Sequence, residues 1–231
     1  MSSIVSVALA GLLSIQAAEA DRLTSADVDA IEQAVTDVHP DPFTRIGETE
    51  WRDEGDRLRT LADEAPDREV AVALMRWVAR LGDGHTNLEP SGLPEFARWY
   101  PVRFTEFADG VFITAAQGPA LDYSGARVIA IGGVPAAEAG RQQATLQGAD
   151  NMFGALEERY LLSNAGVMEA LGLADADGGL PLTLELDGAR VEAVVEPVTS
   201  RWEFDWRFWG EFVGPPVSDS YRDWHAGFNG E

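Results

Sequence analysis

The chain contains no cysteine, which excludes disulfide frameworks, cysteine-held zinc and thiolate nucleophiles. It also contains no lysine. All 17 basic residues are arginine, and this removes every mechanism that needs a lysine base, a Schiff-base lysine or the lysine of a phosphate loop. Only three histidines occur, His39, His85 and His225. None belongs to an H-E-x-x-H pair, so a zinc hydrolase has nothing to build on and no metal site is expected. No serine sits in a G-x-S-x-G elbow. Positive charge is scarce as well: 39 acidic residues against 17 basic ones give a net charge of -22, spread along the chain, and such a surface repels nucleic acid. An acidic, lysine-free composition fits salt adaptation or a GC-rich genome equally well.

What is present suits a globular protein. The 231 residues, 45% apolar and 24% charged, suffice for one or two domains with a buried core. The apolar run at residues 4 to 15 is shorter than the roughly 20 residues that span a bilayer. It has the make-up of the apolar part of an export signal, and Ala18-Glu19-Ala20 offers the small-x-small pattern that a signal peptidase accepts. Residues 1–20 are therefore expected to be a signal peptide, and the protein to be exported to a periplasm or the exterior. Because Met1-Ser2-Ser3 carries no positive charge, the alternative is an ordinary first element of a cytoplasmic protein. No transmembrane span is expected elsewhere.

Apolar periodicity predicts helices first. Val28, Ile31, Val35 and Val38 recur every three or four residues behind a Ser/Asp cap, and Pro40 and Pro42 end the run. A second helix begins near Glu48 with Trp51, Leu58 and Leu61 as its stripe. A third carries Val70, Leu74, Val78 and Leu81 and stops at Gly82. Residues 22–90 thus read as a small helical bundle without strands. Beyond Pro94 the period changes. Residues 102–107, 111–115, 126–131, 182–186 and 191–195 read as strands, with Asp187-Gly188 as a hairpin turn between the last two. Helices are expected at 136–146 and 152–171. The class is therefore α+β, a helical bundle followed by a β-rich domain over 94–198 with inserted helices. Residues 199–231 form an aromatic-rich tail, in which Trp202, Phe204, Trp206 and Phe208 alternate with charged residues. That strip packs on the β unit or on further chain.

Two motifs carry less than they suggest. Asp175-Ala176-Asp177-Gly178 opens like a calcium loop, but its fifth and twelfth positions are Gly179 and Leu186, so it reads as a turn. Gly132-Gly133 lacks the remaining glycines and the lysine of a phosphate loop and reads as a strand-to-helix turn.

The informative segment is Leu81-Gly82-Asp83-Gly84-His85-Thr86, a histidine just past a helix end between glycines and a threonine. On residue type alone, such a histidine caps carbonyls or fills a polar niche, and Asp83 beside glycines is a turn former. The segment resembles the D-G-H-T motif of the tail-specific, or C-terminal-processing, serine peptidases, in the branch related to the tricorn core protease. His39-Pro40-Asp41-Pro42-Phe43 is similar to that family's H-P-x-P-aromatic segment. Gly110-Val111-Phe112-Ile113 and the stretch from Gly125 to Pro135 resemble its PDZ-like domain, and Ala149-Asp150-Asn151, Tyr160-Leu161-Leu162 and Leu171-Gly172-Leu173 agree in order and spacing.

The resemblance covers roughly residues 25 to 198. It implies that His85 is the general base of a serine peptidase and that 94–198 is a PDZ-like domain binding peptides or the C-terminal segments of unfolded proteins. It further implies that the serine, its oxyanion donors and a supporting acid lie in a downstream catalytic α/β domain, which nothing after Pro197 matches. The chain is then an N-terminal half, inactive alone and needing no cofactor. The alternatives are a non-catalytic PDZ-like peptide-binding module and a purely structural remnant. His39 and His225 are expected to be structural.

Overall fold

The computed structural model describes residues 4–7, 12–16, 22–90, 92–151 and 158–198. The aromatic tail, the proposed cleavage site at Ala18–Ala20 and the first part of the 152–171 helix lie outside these residues, as does His225. Among the described residues, contacts divide the chain into two units. One comprises the residues up to 96 together with 144–151, and the other comprises 97–143 together with 158–198.

The first unit holds three helices, α1 (Ser25–Val38), α2 (Glu48–Glu64) and α3 (Asp67–Ala79). The cap of α1 is Thr24, one residue earlier than the sequence suggests, because Asp27 Oδ2 accepts both the Thr24 N–H and its hydroxyl, at 2.9 and 3.1 Å. Val28, Ile31 and Val35 of α1 are buried, as are Trp51 and Leu58 of α2. Leu61 is only half-buried. Helix α3 is buried nearly all round, through Val70, Ala71, Val72, Leu74, Met75, Trp77 and Val78. The centre is a stacked pair, Trp51 and Trp77, with ring centroids 4.0 Å apart and planes at 15°. The Trp77 indole N–H donates to the Trp51 carbonyl at 3.1 Å, so the ring is satisfied as well as buried. Trp77→Ala should therefore lower stability by about 3 to 5 kcal/mol, the usual cost of a large aromatic cavity. Chemical denaturation with circular dichroism measures it.

Strands also occur before residue 90, contrary to the all-helical expectation for 22–90. The backbone of β1 (Ile4–Val7) pairs antiparallel with β2 (Leu12–Gln16), and β2 runs parallel to β3 (Asn87–Glu89). Three residues after a glycine-rich turn are too few for a helix, and pairing satisfies their backbone instead.

The second unit is built on a six-stranded antiparallel sheet, so the class is α+β. Its order is β4 (Val102–Phe107), β5 (Gly110–Ala116), β6 (Arg127–Ile131), β8 (Leu180–Leu186) and β9 (Ala189–Val195), with β7 (Val134–Pro135) paired to β6. Strand β5 is buried from Val111 to Ala116, since both its faces are covered, and this explains its unbroken apolar sequence. The β8–β9 hairpin turns at Asp187-Gly188, where φ is 51° and 76°. This left-handed pair is the geometry that an Asp-Gly sequence provides. Gly132-Gly133 makes a similar turn, but into β7, so it joins strand to strand before α4 (Ala136–Ala144) begins. A further short helix, α5 (Ala165–Ala170), is capped by Asn164, whose side chain accepts the Val167 N–H. Asp175 Oδ1 accepts the N–H groups of Asp177 and Gly179, so the calcium-like stretch is a turn locked by its own aspartate.

Candidate active site

After α3 the chain passes Leu81, which is buried, and turns through Gly82-Asp83-Gly84-His85-Thr86 into β3. Asp83 organises this turn. Its Oδ1 accepts the His85 N–H at 2.9 Å, and its Oδ2 accepts the Thr86 hydroxyl at 2.7 Å and His39 Nε2 at 3.2 Å. His39 Nδ1 accepts the Asp41 N–H at 3.2 Å, which makes Nε2 the protonated nitrogen facing Asp83. Pro40, which ends α1, thus sets His39 at the helix end where its ring reaches the D-G-H-T turn 44 residues later.

A second chain segment completes the site. Gly148 N–H donates to Asn87 Oδ1 at 2.9 Å, and Asn87 Nδ2 donates to the Gly84 carbonyl at 3.0 Å, so one buried amide ties both segments together. Gly84 N–H donates to Asp150 Oδ1 at 3.2 Å. The two segments approach so closely that a Cβ at Gly148 would lie 2.4 Å from the Asp83 carbonyl oxygen.

His85 itself is 80% exposed in its side chain, while Asp83 and Asp150 are 29% and 55% exposed. Its Nδ1 lies 3.4 Å from Asp83 Oδ1 and 3.7 Å from Asp150 Oδ2. Its Nε2 has no partner among the described residues. An exposed imidazole with carboxylates beside one nitrogen and the other open has what a general base requires.

Partial burial pushes the Asp83 carboxyl up. The hydrogen bonds from the His85 N–H, the Thr86 hydroxyl and His39 outweigh it and hold the carboxyl below the ordinary aspartate range. A depressed folded-state value contributes stability above the unfolded pKa of about 3.9, and that contribution is lost as pH falls through the folded value. Wild-type protein should therefore lose more stability than Asp83→Ala between pH 5 and the acid limit, as urea midpoints across that range would show.

Asp83, His85 and Asp150 bring one donor atom each to within 4.8 Å of one another and could hold a divalent cation. The sequence offers no metal-ligand spacing for this set, because Asp150 comes from a distant stretch. His39, read from sequence as structural, is joined to the site through Asp83. Asp83 is the turn former expected and, through its second oxygen, the hub of the cluster. Asn87 and Asp150 were not anticipated as side chains of the site. The only signal for them was the similarity of Ala149-Asp150-Asn151 to a family segment.

No protein-family model matches the chain, and no curated protein sequence matches it. Among solved structures it is similar to mature CPAF complexed with lactacystin, with a TM-score of 0.53 and 13% identity, covering 75% of this chain and 34% of that one. It is similar also to mature CPAF, with a TM-score of 0.51 and 11% identity over the same shares. A serine-to-alanine mutant of CPAF gives 0.50 and 14%. CPAF is a chlamydial, tail-specific-protease-like serine protease. At these identities the likeness is one of fold, and the chain spans about a third of the length of the CPAF chains.

Proposed function

We propose that this chain is the N-terminal part of an exported serine-type endopeptidase. In this reading a helical subdomain over 22–90 carries the base His85, a PDZ-like domain over 94–198 binds peptides or the C-terminal segments of unfolded proteins, and a following α/β domain supplies the serine. The observation that carries it is the exposed His85 imidazole, flanked at Nδ1 by two carboxylates, on a fold like that of a serine protease.

The chemistry follows from the ring. Imidazole is the side chain best suited to taking and returning a proton near neutral pH. His85 Nε2 takes the proton of the serine hydroxyl as its oxygen attacks the peptide carbonyl carbon. It returns that proton to the amine nitrogen as the C–N bond breaks. Water then repeats the sequence on the acyl-enzyme, regenerating the serine. Carboxylates beside Nδ1 stabilise the imidazolium between these transfers.

The chain alone should hydrolyse casein and short peptides only at background rate, equally for wild type and His85→Ala, because a base without nucleophile and oxyanion donors does little. Adding a separately expressed serine-bearing domain should then restore turnover only with His85 intact. Turnover by the isolated chain that vanishes in His85→Ala would place the nucleophile within these residues and overturn the half-enzyme reading.

A second reading, a non-catalytic PDZ-like module, is favoured by the sheet order, which leaves β4 and β9 as outer strands where an extended peptide could add. Peptide affinity unchanged in His85→Ala, with no complementation by any serine domain, would support that reading instead.

A further inference from the structure

We infer that Arg45 is a specificity-determining residue beside the candidate active site, and that it selects peptides carrying an acidic side chain within about three residues of the bond to be cut. The inference rests on the peptidase reading for its purpose and deepens it by naming a substrate class.

With 39 acidic residues against 17 basic ones, an arginine of this chain has carboxylates to spare. Arg52, Arg59, Arg80 and Arg98 each pair with at least one. Arg45 does not. Its side chain is exposed and has no hydrogen-bond or ion-pair partner among the described residues. Its place is nonetheless fixed. Earlier in the same loop His39 Nε2 is joined to Asp83 Oδ2 at 3.2 Å and Phe43 packs on Trp51 with ring centroids 6.5 Å apart, while Ile46, next in the chain, is buried. The Arg45 stem lies on Gly82, where a Cβ would stand 2.8 Å from Arg45 Cγ, 3.3 Å from its Cβ and 3.6 Å from its Cδ. Glycine is required there twice over, because the backbone also has a φ of 70°.

Gly82 precedes His85 by three residues, a span of at most about 11 Å between Cα atoms. An extended peptide covers that distance in about three residues, so a peptide with its scissile bond at His85 Nε2 brings a neighbouring side chain within reach of the guanidinium. The net charge of -22 and the carboxylates of Asp83 and Asp150 beside the imidazole repel an acidic substrate. Arg45 is a cation free to offset this, and its planar guanidinium takes a carboxylate through two parallel N–H donors. An exposed pair adds modest affinity, so the residue sorts substrates and does not hold them by itself.

Binding to the chain itself, at physiological salt, tests this. Two peptides blocked at both ends differ only in one residue, Glu or Gln, and nitrogen-15 NMR of arginine-labelled chain reads the Arg45 Nε–H signal as each is added. The Glu peptide should shift that signal at millimolar concentration and bind about two- to fivefold more tightly than the Gln peptide, the scale of an exposed charge pair. Arg45→Gln keeps the Cβ, Cγ and Cδ atoms that lie on Gly82 and removes only the guanidinium, so the two peptides should then bind equally. Arg45→Glu should invert the selection and favour a peptide with Lys at the same place. Arg57→Gln changes the net charge by the same amount from an exposed position on α2 and should leave the wild-type ratio unchanged.

Equal binding of the Glu and Gln peptides to wild type, the absence of any shift at Arg45, or a ratio that survives Arg45→Gln would overturn the inference. So would selection that follows a free C-terminal carboxylate on the Gln peptide while the blocked Glu peptide binds no better, since the group read would then be the chain end. No serine domain takes part in this experiment, so a failure of complementation would sink the peptidase reading while leaving the selection standing. Equal binding would remove Arg45 from substrate recognition and leave the assignment of His85 untouched.

Discussion

On the peptidase reading proposed above, His85→Ala in a polypeptide that joins this chain to a serine-bearing domain is expected to lower kcat for peptide hydrolysis by about 10^4-fold or more, with KM within a few-fold of wild type. A base in that reading touches the reacting proton and contributes little to holding the peptide, so the expected loss belongs to the transition state and not to ground-state binding. His85 is 80% exposed, and its replacement should leave stability nearly unchanged. Steady-state kinetics beside thermal unfolding tests both halves. A variant that loses activity together with several degrees of Tm would mark His85 as a structural residue. One that retains more than a tenth of wild-type kcat would remove it from the base role.

The second large effect is structural. Gly148→Ala should cost about 2 to 4 kcal/mol, because the new methyl meets the Asp83 carbonyl oxygen at 2.4 Å and its carbon at 3.1 Å, and backbone on both segments must separate. The separation also pulls Asp150 from Gly84 and breaks the Asn87 bridge, so the histidine loses its setting along with the fold its stability. Gly47→Ala provides the control. That position caps α2 at φ -69°, has nothing within 4 Å of its Cβ, and should lose less than about 1 kcal/mol, the scale of a glycine-to-alanine change at an N-cap offset by reduced unfolded-state freedom. Calorimetry of the two variants side by side distinguishes a steric effect from a general sensitivity to alanine.

The elements of this fold were legible where local pattern and tertiary burial agree. The three- and four-residue spacing of Val28, Ile31 and Val35 marks α1 because one face is buried. Residues 102–107 read as a strand and form β4 with the same bounds. The Asp187-Gly188 hairpin was legible because its left-handed backbone is a property of those two residues. Elements whose form depends on partners were not. β3 has three residues and exists by pairing with β2, and nothing in Asn87-Leu88-Glu89 announces a strand. Gly132-Gly133 was legible as a turn but not as one joining β6 to β7, since the next element is only two residues long.

The site divides along the same line. His85 was singled out by its neighbours in sequence, and its exposure follows from lying in a turn after a helix. Its companions come from elsewhere: His39 from the end of α1 and Asp150 from a stretch 66 residues beyond Gly84. A chain with 39 acidic residues gives no reason to choose Asp150 among them until the backbone brings it to Gly84. Asn87 was invisible for a similar reason, because its role is to pair two backbone groups that sequence does not place together.

The return of residues 144–151 to the helical unit has a kinetic consequence. The contacts Asn87–Gly148 and Gly84–Asp150 close loops of 61 and 66 residues, and a closure of that length costs about 4 kcal/mol of chain entropy before any contact rewards it. The helices need no such closure, since α1, α2 and α3 follow one another directly and can pack first. The histidine and its flanking Asp83 thus depend on contacts near in sequence, whereas Asp150 must be brought back across the intervening residues 97–143. A chain caught with its helices packed but its second pass undocked therefore holds the His85 turn without the Asn87–Gly148 and Gly84–Asp150 contacts that tie it to residues 144–151.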